Sequence, residues 1–131
     1  MPAKILIIED DPVARTVLVS ALKPDKYEIA VSPDALSGLS LARKQKPDLI
    51  LLDLGLPAGG GYTFLQRLKQ LPELSVIPVV VVSGYDAKTH DPRTSAAGVS
   101  AYLQKPVKPD DVLATVKRFL SDQDSFAPVK E

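Results

Sequence analysis

The chain contains no cysteine, which excludes disulfides and thiolate metal sites. It has one histidine, His90, and a single imidazole cannot make a zinc site by itself. Neither sign of charge is in excess: 16 basic residues balance 16 acidic ones, so there is no general attraction to nucleic acid or anionic membrane. No apolar run approaches the roughly 18 residues of a membrane span. The start, Met1-Pro2-Ala3-Lys4, leads straight into a strand and lacks the apolar core of a signal peptide. These absences point to a cytoplasmic protein with no nucleic-acid or membrane partner. What remains is 131 residues, 45% of them apolar, enough for one domain that buries roughly two-thirds of its unfolded surface.

Four apolar runs each stop at a polar residue. Lys4-Ile5-Leu6-Ile7-Ile8 stops at Glu9-Asp10-Asp11, Leu49-Ile50-Leu51-Leu52 at Asp53, Val79-Val80-Val81-Val82 at Ser83, and Tyr102-Leu103-Gln104 at Lys105-Pro106. Apolar runs without alternation are what strands buried on both faces require. A fifth, weaker strand spans Tyr27 to Val31.

Helical stretches separate the strands. Asp11-Pro12 reads as an N-cap followed by proline at the first helical position, with Val13, Val17, Leu18, Ala21 and Leu22 as the apolar stripe. Ser32-Pro33 repeats the signal before a helix lined by Ala35, Leu36, Leu39 and Ala42, closed by Pro47. A glycine-rich loop from Gly55 to Gly61 precedes a third helix marked by Phe64, Leu65, Leu68 and Leu71. Lys108-Pro109-Asp110-Asp111 opens a last helix with acids in its first turn, where the helix dipole favours them; its stripe is Val112, Leu113, Val116, Phe119 and Leu120. The stretch 86–97 lacks large apolar residues and contains Pro92, so the helix between the last two strands is expected to be short or irregular, beginning no earlier than Pro92. Alternating strands and helices predict a three-layer α/β fold, a doubly wound five-stranded parallel sheet with helices on both faces. The division expected is a domain over 1–120 and a polar, mobile tail or linker start over 121–131.

In such a sheet, ligands bind beyond the carboxyl ends of the strands. Glu9, Asp10 and Asp53 then crowd together, and carboxylates so close oppose one another's ionisation until a cation relieves them. All-oxygen donors point to Mg2+. Lys105 supplies the opposing charge, pairing with Asp53 at rest and with a phosphoryl oxygen after transfer. Ser83 offers a hydroxyl to another phosphoryl oxygen. The set suits in-line attack by Asp53 on a phosphoryl donor, giving an aspartyl phosphate.

Taken together, Ile7-Ile8-Glu9-Asp10-Asp11-Pro12, Leu51-Leu52-Asp53-Leu54-Gly55-Leu56-Pro57, Val82-Ser83-Gly84 and Tyr102-Leu103-Gln104-Lys105-Pro106 resemble the receiver domain of bacterial two-component response regulators, from Lys4 to about Leu120. The resemblance implies the flavodoxin-like strand order 2-1-3-4-5 and Asp53 as phosphoacceptor. It implies Asp10, Asp53 and the Gly55 carbonyl as metal ligands, with Glu9 acting through a water. Ser83 and Lys105 match the family's hydroxyl and lysine, Tyr102 the aromatic that changes rotamer on activation, and Lys105-Pro106 a cis bond. A histidine kinase or phosphotransfer protein would be the donor, and the outcome a switched partner-binding surface rather than turnover of an outside substrate. Family members often dimerise through the last helices and strands, so a homodimer is compatible.

Gly60 departs from the pattern, standing where the family often has aspartate, and the Gly59-Gly60-Gly61 run is expected to loosen the loop. Residues 121–131 are too few for an output module. Two other readings compete. One is a scaffold that keeps the fold without phosphate. The other is an aspartyl-phosphate phosphatase, which usually carries a second aspartate where this chain has Gly55. A flavin site is disfavoured by the acids of Glu9-Asp10-Asp11.

Overall fold

The computed structural model describes residues 2–84 and 99–125, with side chains up to Leu120. Five strands form one sheet: β1 Lys4–Ile8, β2 Glu28–Ser32, β3 Leu49–Asp53, β4 Val79–Ser83 and β5 Ala101–Gln104, in the order β2-β1-β3-β4-β5. Every pairing is parallel, with Leu6 beside Ala30 and Ile50, Leu52 beside Val81, and Val81 beside Tyr102. Four helices are described: α1 Pro12–Leu22, α2 Ala35–Gln45, α3 Gly60–Gln70 and α4 Pro109–Ser125.

The unalternating strands are explained by two cores. Leu6, Ile8, Ile50, Leu52, Val79 and Val81 face α2 and α3, packing with Ala42, Phe64, Leu65 and Leu68. Ile5, Ile7, Leu49, Leu51 and Val80 face α1 and α4, packing with Leu18, Ala21, Leu22, Val112 and Val116. With period two, consecutive side chains alternate between faces, so both must be apolar.

Several local expectations shift. Ser32 does not cap α2. It pairs with Ile8 as the last residue of β2, and its hydroxyl donates to the Asp34 carbonyl at 3.0 Å. Asp34 caps instead, accepting from Ser37 N at 2.7 Å. Two stripe members miss the core: Val13 is 71% exposed and Leu36 82%. The inward face of α2 is set by Gly38 and Ala42, where the helix rests so close to β1 that a Cβ on Gly38 would lie 2.7 Å from Ile8 Cδ1. Leu36 therefore falls on the outer side.

The glycine run is not all loop. After a 3-10 turn at Pro57–Gly59, Gly60 and Gly61 open α3. Gly59, at φ 71°, is the N-cap residue, a left-handed conformation that glycine adopts at no steric cost. A Cβ on Gly61 would sit 2.8 Å from Leu54 Cα and 2.9 Å from Asp53 O, so glycine lets α3 begin against the end of β3. The last helix continues past Leu120 to Ser125, into the stretch expected as tail. The helix expected near Pro92 lies outside the described residues.

Candidate functional site

The site is made by where strands stop. Past Ile8, Glu9 N still donates to Ser32 O at 3.0 Å. The chain then turns, and Asp11 caps α1 by accepting from Ala14 N at 2.9 Å; it serves the helix. The turn is braced twice more: Asp11 N donates to Glu9 Oε2 at 3.2 Å, and Arg15 Nη1 to the Glu9 carbonyl at 2.9 Å. Asp53 ends β3, buried, with Oδ1 accepting from Gly55 N at 2.8 Å. Ser83, also buried, ends β4, and Leu54 N donates to Val82 O at 3.2 Å beside it. Tyr102 lies half-buried in β5. The Lys105-Pro106 bond is cis, and Lys105 N donates to Ser83 O, at 2.6 Å, which ties the lysine to the end of β4.

Carboxylate oxygens of Glu9, Asp10 and Asp53 lie within 4.8 Å of one another. Asp10 is exposed and the other two are buried. Lys105 Nζ stands 2.9 Å from Glu9 Oε1 and 3.5 Å from Asp53 Oδ2. Its nearer partner is thus Glu9, a pairing that sequence reasoning did not foresee. Burial pushes the Glu9 carboxyl up to about 7, with Lys105 opposing and Asp53 adding to the rise. For Lys105, burial pulls the ammonium down, but Glu9 and Asp53 together hold it above its ordinary value.

Three carboxylates face one ammonium, so negative charge is left over. Although Glu9 Oε1 is close to Lys105, it is buried without a well-aligned hydrogen bond. Surplus acid oxygens gathered within 4.8 Å fit a small, hard divalent cation such as Mg2+, since hard oxygen ligands suit such ions. Beside this cluster opens a cleft of about 360 Å³ with mostly apolar walls, among them Val13, Val17, Pro106 and Val107. Val13 serves the mouth of the site here instead of the core.

The structure thus brings together Glu9, Asp10, Asp53 and Lys105, places Gly55 against Asp53, sets Ser83 at the end of β4, and puts Tyr102 inside β5, beside Val81 and two residues short of its carboxyl end. Arg15 was not singled out from sequence. A basic residue one turn into a helix has no distinctive pattern, and only the fold shows that it reaches back to Glu9.

Residues 5–117 match the family model of the response regulator receiver domain. The polar-differentiation response regulator DivK of Brucella anthropi is 33% identical over 122 residues, covering 93% of this chain and 99% of that protein. A receiver domain protein (CheY-like) from Methanospirillum hungatei superposes with a TM-score of 0.85 at 28% identity, covering 95% of this chain and 98% of that one. The phosphorylated cyanobacterial phytochrome response regulator RcpA superposes with a TM-score of 0.75 at 26% identity over the whole of both chains. With five parallel strands in the order 2-1-3-4-5 and an acidic cluster at their carboxyl ends, this chain belongs to the receiver domain family of response regulators.

Proposed function

We propose that the chain is a phosphorylation-controlled signalling module in which Asp53 accepts a phosphoryl group from a histidine kinase or phosphotransfer protein. The observation that carries this is a buried carboxylate at the end of β3 that faces an ammonium at 3.5 Å within a cluster of surplus acid. The phosphorylated state of RcpA, named above, supports it.

A divalent cation held by Asp10, Asp53 and the Gly55 carbonyl, with Glu9 acting through water, would neutralise charge on the transferring group. The Asp53 carboxylate oxygen attacks phosphorus in line. The new O–P bond forms as the donor's bond to phosphorus breaks, and the donor group leaves with that electron pair. Lys105 stays charged, since its carboxylate partners hold its pKa above the ordinary value, and pairs with a phosphoryl oxygen. The Ser83 hydroxyl donates to another. Turning of Ser83 toward the phosphoryl group lets Tyr102 change rotamer, so the phosphoryl group's contacts shift the equilibrium between two states of the β5 surface. Hydrolysis of the acyl phosphate resets it.

No helix among the described residues is long and apolar enough to cross a membrane, which accords with action in the cytoplasm. Gly55, two residues after Asp53, leaves no second aspartate for a phosphatase acting on outside substrates.

The test is intact-mass analysis after incubation with Mg2+ and acetyl phosphate. Wild type should gain the mass of one phosphoryl group, and Asp53→Ala none. An unmodified wild type, or a modified Asp53→Ala, overturns the reading.

A further inference from the structure

We infer that Arg15 is a positioning residue for the cation site, a role that rests on the site reading above. β1 ends at Ile8, so the turn that carries Glu9 and Asp10 begins just past the regular ladder. Glu9 is completely buried, and Arg15 Nη1 donates to its carbonyl at 2.9 Å. That carbonyl and the Asp10 N–H belong to one planar peptide unit. Holding the carbonyl therefore fixes the plane from which the Asp10 side chain departs toward Asp53. The Glu9 carboxylate is oriented separately, by Asp11 N at 3.2 Å and Lys105 at 2.9 Å. Arg15 thus governs a different degree of freedom, the peptide that aims the exposed member of the acid cluster.

Two effects of this guanidinium on a cation compete. Its charge repels the ion, while its hydrogen bond preorganises a ligand. The bond is made to the backbone of a fully buried residue, whereas the charge belongs to a half-buried side chain and is screened by solvent. Hydrogen bonds that orient metal-ligating side chains are commonly worth ten- to a hundredfold in affinity, and this one acts on such a ligand through the peptide that carries Asp10, at the lower end of that range. Preorganisation therefore wins.

Arg15→Gln removes the reach and the charge together. Arg15→Lys keeps the charge but offers one donor on a flexible stem. Mn2+ binding to full-length protein, followed by electron paramagnetic resonance, should weaken at least about tenfold in Arg15→Gln, with Arg15→Lys in between. In metal-free, 15N-labelled protein, the Asp10 amide resonance should move in both variants while core amides stay in place. The amide signal also serves if Arg15→Gln folds poorly and only Arg15→Lys can be studied. Cation affinity in Arg15→Gln equal to or tighter than wild type, or an unmoved Asp10 amide, overturns the inference alone. Wild type that binds no Mn2+ overturns the site reading and this inference with it.

Discussion

Glu9 is the residue on which the energetics of the site turn. Burial raises its carboxyl to about 7 from an ordinary 4.5. A carboxyl raised on folding contributes its full stability below the unfolded value and loses it as pH rises through the folded one. Metal-free protein should therefore lose stability on this account between about pH 4.5 and 7. Glu9→Gln should remove that slope and melt at a higher temperature than wild type at pH 8. Thermal melts in chelator across pH 4–8 check it, and a wild-type slope retained in Glu9→Gln would be the wrong result. Lys105 has the opposite sign. Removing the ammonium leaves buried Glu9 and Asp53 facing each other, so Lys105→Met should cost roughly 3 kcal/mol at pH 8 in urea titrations without metal. The loss should shrink when Mg2+ is added. Asp10, Asp53 and Lys105 could be read from the sequence because each sits where an apolar run stops. The nearer pairing of Lys105 with Glu9 could not, since spacing along the chain says nothing about which of two adjacent acids a flexible ammonium will reach.

At the scale of the element, the strands were the most legible part. A run such as Val79–Val82, apolar on both pleat faces, has few alternatives to a buried strand. Helix faces were less so. Leu36 fits the periodicity by composition, yet Gly38 and Ala42 decide which side of α2 rests on the sheet. The glycine run misled in the same way, because it reads as loop from sequence, yet Gly60 and Gly61 begin α3 and Gly61 is a point of close approach. The prediction at this scale compares two glycines. Gly61→Ala places a methyl against Leu54 and Asp53 backbone at 2.8 and 2.9 Å, so α3 must shift, at a cost of roughly 2 kcal/mol. That movement should also slow acetyl-phosphate labelling of Asp53, whose carbonyl is the atom pressed. Gly38→Ala meets the end of a side chain, Ile8 Cδ1, at 2.7 Å, and α2 recovers roughly 0.5–1 kcal/mol from lower chain entropy. It should cost less than Gly61→Ala in denaturant titrations and leave labelling unchanged. A larger loss in Gly38→Ala would mean that Ile8 cannot yield.

For the molecule as a whole, the acid cluster places opposing demands on fold and function. Three carboxylates within 4.8 Å weaken the folded state until a cation joins them. An ion that binds only the folded form stabilises it by mass action, about 2.7 kcal/mol at a hundred times its dissociation constant. Added Mg2+ should therefore raise the melting temperature of wild type in a concentration-dependent way, and should do so much less in Asp10→Asn. Equal shifts in both would place the ion elsewhere. By itself, the sequence determined the alternation of strands and helices, the parallel sheet and the residues that end each strand, because apolar periodicity and capping are local properties of the chain. Only the tertiary structure decided which acid holds Lys105, which glycines must remain glycine and that Arg15 reaches back to Glu9. Those depend on how closely separate elements approach, a distance that is set by packing across the sheet and leaves no mark in local sequence.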